Sequence, residues 1–571
     1  MRRAALAPLL LLTVCVEACG SGPARPGPAP AFDLVVAHGR VVDGTGSPAR
    51  AADVGIRGGH VVAVGDLGAS PRARTIDASG LVVAPGFIDM LGQSEMTLLV
   101  DPRAPSKIYQ GVTTEITGEG DSIAPTSDEI VAKHREDFDS LQVTCDWRTF
   151  RDYFARLEKQ GIGINIASYV GATQVRRVVL GEGDVQPTAA QLEAMRALVR
   201  DAMHDGAMGV STSLLYPPAP YAKTEELVAL ASEAAKLGGI YATHMRDEAD
   251  HEMAAIDEAL RIGREAKIPV EIWHIKAAGK KNWGRMKEII AKIDDARAHG
   301  LDVSANTYAY PAWGNGLSAI LPPAAQDGGD EKTLARLADP AQRARIKQEI
   351  LAPTSSDWQD EWQQVPAPES WLVCGVDNDA LRSLQGKTLA QLAAEWHEDG
   401  LDAALDLIVK DHAHTSVAVF AMNEDDIAYA LKQPWVSIGV DSPGVSSDGL
   451  LGKWRSHPRG FGAFPRILRK YVREEHLLTL EEAIRKFTSL PAARMHIADR
   501  GSLEPGKWAD VVVFDPQTVR DVATFEDPNR YAVGMKYVLV NGVPVIEEGS
   551  MTGATPGRVI RGPGHADAPA R

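Results

Sequence analysis

The strongest constraint on the fold is a repeated alternation of strand-like and helical segments through the middle of the chain. Short apolar runs such as GINIASYV, GIYATH and VEIWHI are separated by helical stretches, for example residues 189–204 and 225–237. This alternation is typical of βα units, in which parallel strands are covered by helices. The chain of 571 residues is long enough for such units to close on themselves. We therefore predict an α/β protein containing a (β/α) barrel.

The two ends of the chain have a different pattern. Short β-branched runs separated by Gly, Pro and Asp fill residues 32–84. Similar runs, ADVVVF and YVLVNGVPVI, return within residues 496–571, and the second contains an Asn-Gly pair that favours a tight hairpin. We predict that both termini build one small β-sandwich around a barrel at 85–495. Residues 327–409 break the βα rhythm and are interpreted as an insertion into the barrel.

The first residues have the pattern of a bacterial export signal. A basic start at Arg2 and Arg3 is followed by an apolar run that ends near Val16. This run is shorter than the roughly 20 residues of a membrane-spanning helix. We therefore predict a signal peptide at 1–19, followed by a linker at 20–31 whose Pro, Gly and Ala content suits an extended tether.

The end of this leader also suggests a lipid anchor. The segment from Val16 to Cys19 resembles a lipobox, in which the cysteine is lipidated after cleavage, although Glu17 is atypical there. Ordinary cleavage without lipidation is the alternative. The protein is expected to be exported, either as a periplasmic protein or as a membrane-anchored lipoprotein whose membrane contact is made through Cys19.

Charge and cysteine content exclude two classes of protein. The 60 Lys and Arg residues against 76 Asp and Glu residues give a formal net charge of −16, with no long basic block. A nucleic-acid partner is therefore not expected. Cys145 and Cys374 are the two cysteines outside the leader and allow at most one bridge, which excludes a disulfide scaffold.

Polar residues directly after strand-like runs are the candidates for chemistry, because active sites of barrels lie where the strands end. His244 follows GIYAT, His274 follows VEIW, and Asp441 follows WVSIGV. A single histidine after a strand is usually structural, but two imidazoles and one carboxylate on separate strands form a plausible metal cluster.

Longer motifs carry a resemblance to a known family. The segments PGFID, GVTTEITG, STSLLYPPAPYAKTEEL, YATHMRDE, WHIKAAG and HPRGFGAFPRIL are similar to those of metal-dependent amidohydrolases, and among these to the N-acyl-D-amino-acid deacylases, or D-aminoacylases. The similar segments cover most of residues 32–561. The resemblance implies a metal-bearing (β/α)8 TIM-like barrel with a β-sandwich built from both termini, in agreement with the strand pattern.

One departure from the family pattern bears on the metal site. The family has a His-x-His pair after PGFID, where this chain has Leu91 and Gln93. Leucine cannot bind a metal, and neutral glutamine is a poor ligand for zinc. His412 and His414 form the chain's one His-x-His, but it precedes a late strand, so we do not assign it to this site. We expect one Zn²⁺ per chain rather than two.

A second departure concerns the third metal ligand. The family usually has a cysteine after GVTT, where this chain reads Gly-Glu-Gly-Asp. Either neighbouring carboxylate, Glu119 or Asp121, can replace a thiolate as a zinc ligand. We favour Glu119, together with His244 and His274, because it directly follows the turn glycine.

The resemblance also implies roles for other residues. Asp441 suits a general base toward water and then an acid toward the leaving amine. Lys276, Tyr216 and Tyr308 match substrate-pocket residues of the family. Arg459 matches an arginine that holds the substrate carboxylate, and its guanidinium fork suits that group.

The predicted function is zinc-dependent hydrolysis of the amide bond in N-acyl amino acids or small peptides, with D configuration favoured. Two alternatives remain open at this stage. The loss of the His-x-His pair allows a non-catalytic binding protein of the same fold, and the family allows another C–N hydrolase, such as a dipeptidase or a cyclic amidase. The sequence identifies a small-molecule substrate as the partner and does not determine the oligomeric state.

Overall fold

The computed structural model describes residues 31–352 and 358–565. The leader, Cys19 and nearly all of the linker lie outside these residues. The described chain mixes helices with parallel and antiparallel strands, which confirms the predicted α/β class. No helix in the described ranges is long and apolar enough to cross a membrane.

Strands from both termini share one nine-stranded sheet. The strand Val82–Pro85 pairs antiparallel with Val511–Phe514, and this pairing joins the two halves of the sheet. Alternating apolar side chains of both halves form one buried cluster. The remaining strands of the sheet are Phe32–Val41, Arg50–Arg57, His60–Gly65, Arg72–Asp77, Met535–Val540, Val543–Glu547 and Ser550–Met551.

A series of parallel strands lies between these terminal segments. A three-stranded group contains Phe87–Asp89, Val112–Thr117 and Asn165–Ser168. A six-stranded group contains Val170–Gly171, Gly209–Ser213, Ile240–His244, Val270–Ile272, Val303–Thr307 and Val436–Ile438. The Met90 amide donates to the Ile438 carbonyl at 3.0 Å, so the first strand also meets the last. The carboxyl ends of the strands therefore gather at one edge.

Helices connect and cover the parallel strands. The segment predicted as helical at 189–204 forms the helix Ala189–Asp205, which begins at a Thr188–Gln191 capping box and ends at Gly206 with φ 116°. The other helices of eight or more residues in this part of the chain are Phe150–Gln160, Ala172–Leu180, Thr224–Lys236, Glu252–Ala266, Met286–Ala298, Glu424–Leu431, Arg459–Arg466, Ile467–Glu474 (a π-helix) and Leu480–Phe487.

Shorter helical segments complete these connections. They are Thr97–Val100, Pro105–Ile108, Asp128–Lys133, Arg135–Ser140, Ala219–Tyr221, Lys280–Asn282, Leu317–Ile320 and Ser489–Arg494.

A small antiparallel sheet stands beside the parallel strands. Its middle strand is Ser416–Phe420, with Ala312–Gly316 on one side and Trp371–Gly375 on the other. Helical segments surround it at Pro323–Gln326, Asp330–Ala338, Pro340–Ile350, Glu361–Gln364, Pro368–Ser370, Asp379–Leu384, Leu389–Trp396 and Gly400–Lys410. Cys374 in this sheet and Cys145 form no disulfide within the described ranges.

Candidate active site

The ends of the parallel strands bring the predicted site residues together. Glu119 lies two residues beyond Val112–Thr117, His244 is the last residue of its strand, and His274 lies two residues beyond Val270–Ile272. Asp441 follows Val436–Ile438. All four side chains line a cavity of about 350 Å³.

Glu119 lies against both histidines. Its Oε1 atom is 3.1 Å from His244 Nδ1 and 3.5 Å from His274 Nε2. The two imidazole rings are 4.5 Å apart, edge to face. Burial alone would raise the pKa of Glu119, but the histidine contacts outweigh burial and hold this pKa well below its usual range. A carboxylate is therefore stabilised between two imidazoles.

This donor set fits a zinc ion. One nitrogen from each histidine and one Glu119 oxygen lie within 4.8 Å of one another. Zinc bonds of about 2.1 Å at tetrahedral angles separate ligand atoms by roughly 3.4 Å, close to the two measured separations. Two histidines and one carboxylate also form the protein ligand set of one class of catalytic zinc site, which keeps a further position open.

Asp121, His412 and His414 do not join this cluster. Asp121 lines the same cavity, but its carboxylate pairs with Arg177 at 2.6 Å and is half exposed. His414 Nδ1 lies 3.6 Å from Asp377, and neither it nor His412 lines this cavity. The geometry thus brings Glu119, and not Asp121, to the two histidines, while metal binding itself remains a prediction.

Gln93 joins two carboxylates across the site. Its Nε2 atom donates to Glu119 Oε2 at 2.8 Å and to Asp441 Oδ1 at 3.1 Å. Leu91, the other replacement in the His-x-His position, is fully buried among apolar residues. An amide donor therefore stands between the carboxylates, and a hydrocarbon side chain fills the neighbouring position.

Asp441 is held on both carboxylate oxygens. Gln93 donates to Oδ1, and Arg459 Nη1 lies 2.9 Å from Oδ2. Burial raises the pKa of the Asp441 carboxyl, although the Arg459 charge opposes this shift. A carboxyl group with a raised pKa and two orienting partners is suited to accept and return a proton.

A buried ion pair fixes the backbone around Asp441, whose φ of 55° is unusual for a residue with a side chain. Lys107 Nζ donates to Asp89 Oδ2 at 2.5 Å and to the Ser442 carbonyl at 2.7 Å. Asp89 Oδ1 accepts from the Val440 amide at 2.8 Å. The residues on either side of Asp441 are therefore both held by this pair.

Lys276 has an acidic partner that the sequence analysis missed. Its Nζ atom lies 2.6 Å from Glu248 Oε2 and 2.7 Å from His274 Nδ1. Glu248 is four residues after His244, and its Oε1 atom is 2.9 Å from His274 Nδ1. Although burial and Lys276 oppose it, the charges of Glu248 and Asp441 raise the pKa of His274 to about 9, so the ring would release a proton on binding a metal. Glu248 therefore orients the imidazole that a metal would need.

The predicted tyrosines and Arg459 also line the site. The Tyr216 ring lies 5.2 Å from the His244 ring, edge to face. The Arg459 guanidinium stacks 4.7 Å above Tyr308, whose buried hydroxyl has no hydrogen-bond partner among the described residues. Arg459 lines an adjoining cavity of about 480 Å³ that contains Asp441 as well. Both cavities are therefore lined by side chains able to bind a polar ligand.

The small antiparallel sheet supplies a further wall. Trp313 and Asn315 of Ala312–Gly316 line the cavity together with Glu361. Asn315 Nδ2 donates to both Glu361 oxygens, at 2.7 and 2.9 Å. Sequence reasoning missed all three, because a Gly-rich strand and a short helix have no periodic pattern that would predict a site.

Comparisons with known proteins find relatives along nearly the whole chain. The model of the amidohydrolase family matches residues 74–546. An N-acyl-D-glutamate deacylase of Alcaligenes xylosoxydans xylosoxydans is 37% identical over 93% of this chain and 96% of its own length. A D-aminoacylase of the same organism is 38% identical over 93% of this chain and 97% of its own length.

A solved structure is similar over the same range. The N-acyl-D-glutamate deacylase of Bordetella bronchiseptica, determined with zinc and a phosphonate mimic of the tetrahedral intermediate, matches with a TM-score of 0.77 and 34% identity. The match covers 93% of this chain and 99% of that one. The likeness thus extends along nearly the whole of both chains.

Proposed function

This chain belongs to the amidohydrolase family, and we propose that it hydrolyses the amide bond of N-acyl-D-amino acids, or of small peptides that contain them, with zinc as its cofactor. The observation that carries the proposal is the convergence of Glu119, His244 and His274 beside Asp441 in one cavity. Relatives named for this activity, similar along nearly the whole chain, support the proposed substrate class.

The surrounding fold is consistent with such a site. We infer that the two groups of parallel strands form a (β/α)8 barrel, because each pairing is parallel and the first strand meets the last. The segments Asn165–Ser168 and Val170–Gly171 are separated by one residue and count as one strand, which gives eight. We further infer that the shared terminal sheet forms the predicted β-sandwich. In barrels of this kind the residues at the carboxyl ends of the strands carry the chemistry.

Each side chain then has a defined task. Glu119, His244 and His274 would hold the zinc, which supplies Lewis acidity toward an amide carbonyl and acidifies water. Asp441 takes a proton from water and returns it to the leaving amine. Gln93 keeps both carboxylates oriented, and the free Tyr308 hydroxyl is available to donate to the substrate.

The residues favour one zinc rather than two. A second ion needs its own ligands, and the first-strand position offers the apolar Leu91 and the neutral Gln93. The Gln93 amide already satisfies one oxygen of Glu119 and one of Asp441. The carboxylates of Glu119 and Asp441 are therefore bridged by the Gln93 amide.

A direct assay tests the proposed function. The protein, purified and supplied with one equivalent of Zn²⁺, should release the amino acid from N-acetyl-D-methionine and be much slower with the L enantiomer. Chelation should abolish the activity, and zinc should restore it. Absence of hydrolysis on any N-acyl-amino acid, with zinc bound, would favour a binding protein. Exclusive hydrolysis of dipeptides or cyclic amides would favour another C–N hydrolase.

We expect Arg459→Ala to raise KM for N-acyl-amino acids by about 30-fold or more, since loss of a buried charge partner costs about 2–5 kcal/mol. Substrates whose α-carboxylate is amidated should lose far less in KM. Because Arg459 also lies against Asp441, a fall in kcat is expected for both substrate types. The readout is therefore the ratio of KM values, and an equal rise for both types would refute carboxylate recognition.

We propose that the mature protein is exported and anchored through a lipid on Cys19, on the basis of the leader pattern. Cys19→Ser should shift the protein from the membrane fraction to the soluble periplasmic fraction, with the assay above reporting intact enzyme. Cys145→Ser, at a thiol within the folded chain, is the matched control and should leave the partition unchanged. Membrane retention of the Cys19 variant would contradict lipid anchoring.

A further inference from the structure

The lining of the cavity is rich in acidic side chains. Of the described residues that line the cavity, five are carboxylates and Lys276 is the single lysine or arginine. Lys276 already lies against Glu248, and Arg459 of the adjoining cavity lies against Asp441. Both of these basic side chains therefore already have an acidic partner.

Glu361 is the carboxyl group of this lining that is bonded to the small antiparallel sheet, through Asn315. It is 1% exposed, and both of its oxygens accept from Asn315 Nδ2. Burial raises the pKa of Glu361 to about 8, even though Asn315 donates to it. An environment that disfavours one carboxylate charge disfavours a second one beside it still more.

The geometry of the strand Ala312–Gly316 relates the Glu361 carboxyl to the amino-acid part of the substrate. Arg459 Nη2 donates to the carbonyl of Gly314, and Asn315 is the next residue of the same strand, about 3.3 Å along it. Gly314 and Asn315 line both cavities. In an amino acid the α-carboxylate and the side chain share one carbon. When the carboxylate of a substrate reaches Arg459 beside Gly314, its side chain can therefore reach the neighbouring Asn315 and the Glu361 bonded to it.

The unused hydrogen-bonding capacity of this region indicates what it accepts. The Asn315 Oδ1 and Trp313 Nε1 atoms are buried and have no hydrogen-bond partner in the part of the chain that the structure describes. Trp313 Nε1 is a donor, whereas Asn315 Oδ1 is an acceptor that requires an N–H or O–H donor on the ligand. We propose that Asn315 and Glu361 select N-acyl-D-amino acids whose side chains end in N–H donors and reject those with carboxylate side chains.

This inference rests on the proposed function, and an isosteric pair of substrates tests it. N-acetyl-D-glutamine and N-acetyl-D-glutamate differ only in the terminal amide or carboxylate, and kcat/KM should favour glutamine by about 100-fold. Glu361→Gln should reduce this ratio at least tenfold. Glu331→Gln, at an exposed glutamate of the same region, is the matched control and should leave the ratio unchanged. Thermal unfolding verifies that each variant is folded.

N-acetyl-D-methionine separates this specificity from the proposed function. Its hydrolysis without a preference for glutamine over glutamate would overturn the specificity and leave the function standing. A preference for glutamate, or a ratio that Glu361→Gln leaves unchanged, would also overturn the role of Glu361. Failure to hydrolyse all three substrates with zinc bound would overturn the function itself.

Discussion

His244→Ala or His274→Ala should abolish both zinc retention and turnover. Each substitution leaves two of the three proposed ligands, and a two-ligand remnant binds Zn²⁺ poorly. The loss of affinity should exceed the roughly 10–100-fold that changes to the outer partners of metal ligands cost. Zinc per chain after dialysis and kcat on N-acetyl-D-methionine are the two measurements.

A histidine outside the site provides the control. His412 is exposed and does not line the cavity, so His412→Ala should keep full zinc and full rate. Full zinc in the His244 and His274 variants would show that other residues hold the metal. Loss of zinc in the His412 variant would show that His412, and not the cluster proposed here, is needed for metal binding.

Asp441→Asn should leave most of the zinc bound and lower kcat by roughly 10²–10⁴, the contribution of a general acid–base group. Asparagine retains the oxygen that accepts from Gln93 but cannot take a proton from water. The effect should appear in kcat more than in KM, because the lost step is a proton transfer. Steady-state kinetics and metal analysis on the same preparation separate a loss of kcat from a loss of zinc.

Asp121→Asn is the matched control for this change. Asp121 also lines the cavity, but Arg177 neutralises it. Its variant should retain kcat within a fewfold of the wild-type value. A near-normal rate for Asp441→Asn would mean that another group moves the proton, and a large loss of zinc would mean that Asp441 is a ligand.

The sequence was informative where a local pattern decides the geometry. Strand-like runs followed by His244, His274 and Asp441 predict a common site, because parallel strands end at one edge. The structure does bring these side chains to one cavity. The terminal β segments predicted to pair with each other do share a sheet.

Other contacts depend on tertiary packing that no local pattern encodes. In the sequence, Gln93 is recognised only as the replacement of a metal ligand. Its bridge between Glu119 and Asp441 forms because three separate strand ends meet in the fold. Likewise, Glu361 lies on a four-residue helical segment, Glu361–Gln364, too short for a periodic signal. The contact of Arg459 with Asp441 joins a helix start to a strand end, which spacing alone does not predict.

The central claim is a single zinc held by Glu119, His244 and His274, and metal content per chain tests it most directly. Protein purified with excess Zn²⁺ and then dialysed should contain one zinc per chain, and Glu119→Gln should reduce this content while Asp121→Asn does not. Two tightly bound ions per chain would contradict the account, because some residue would then rebuild the half-site that Leu91 and Gln93 lack.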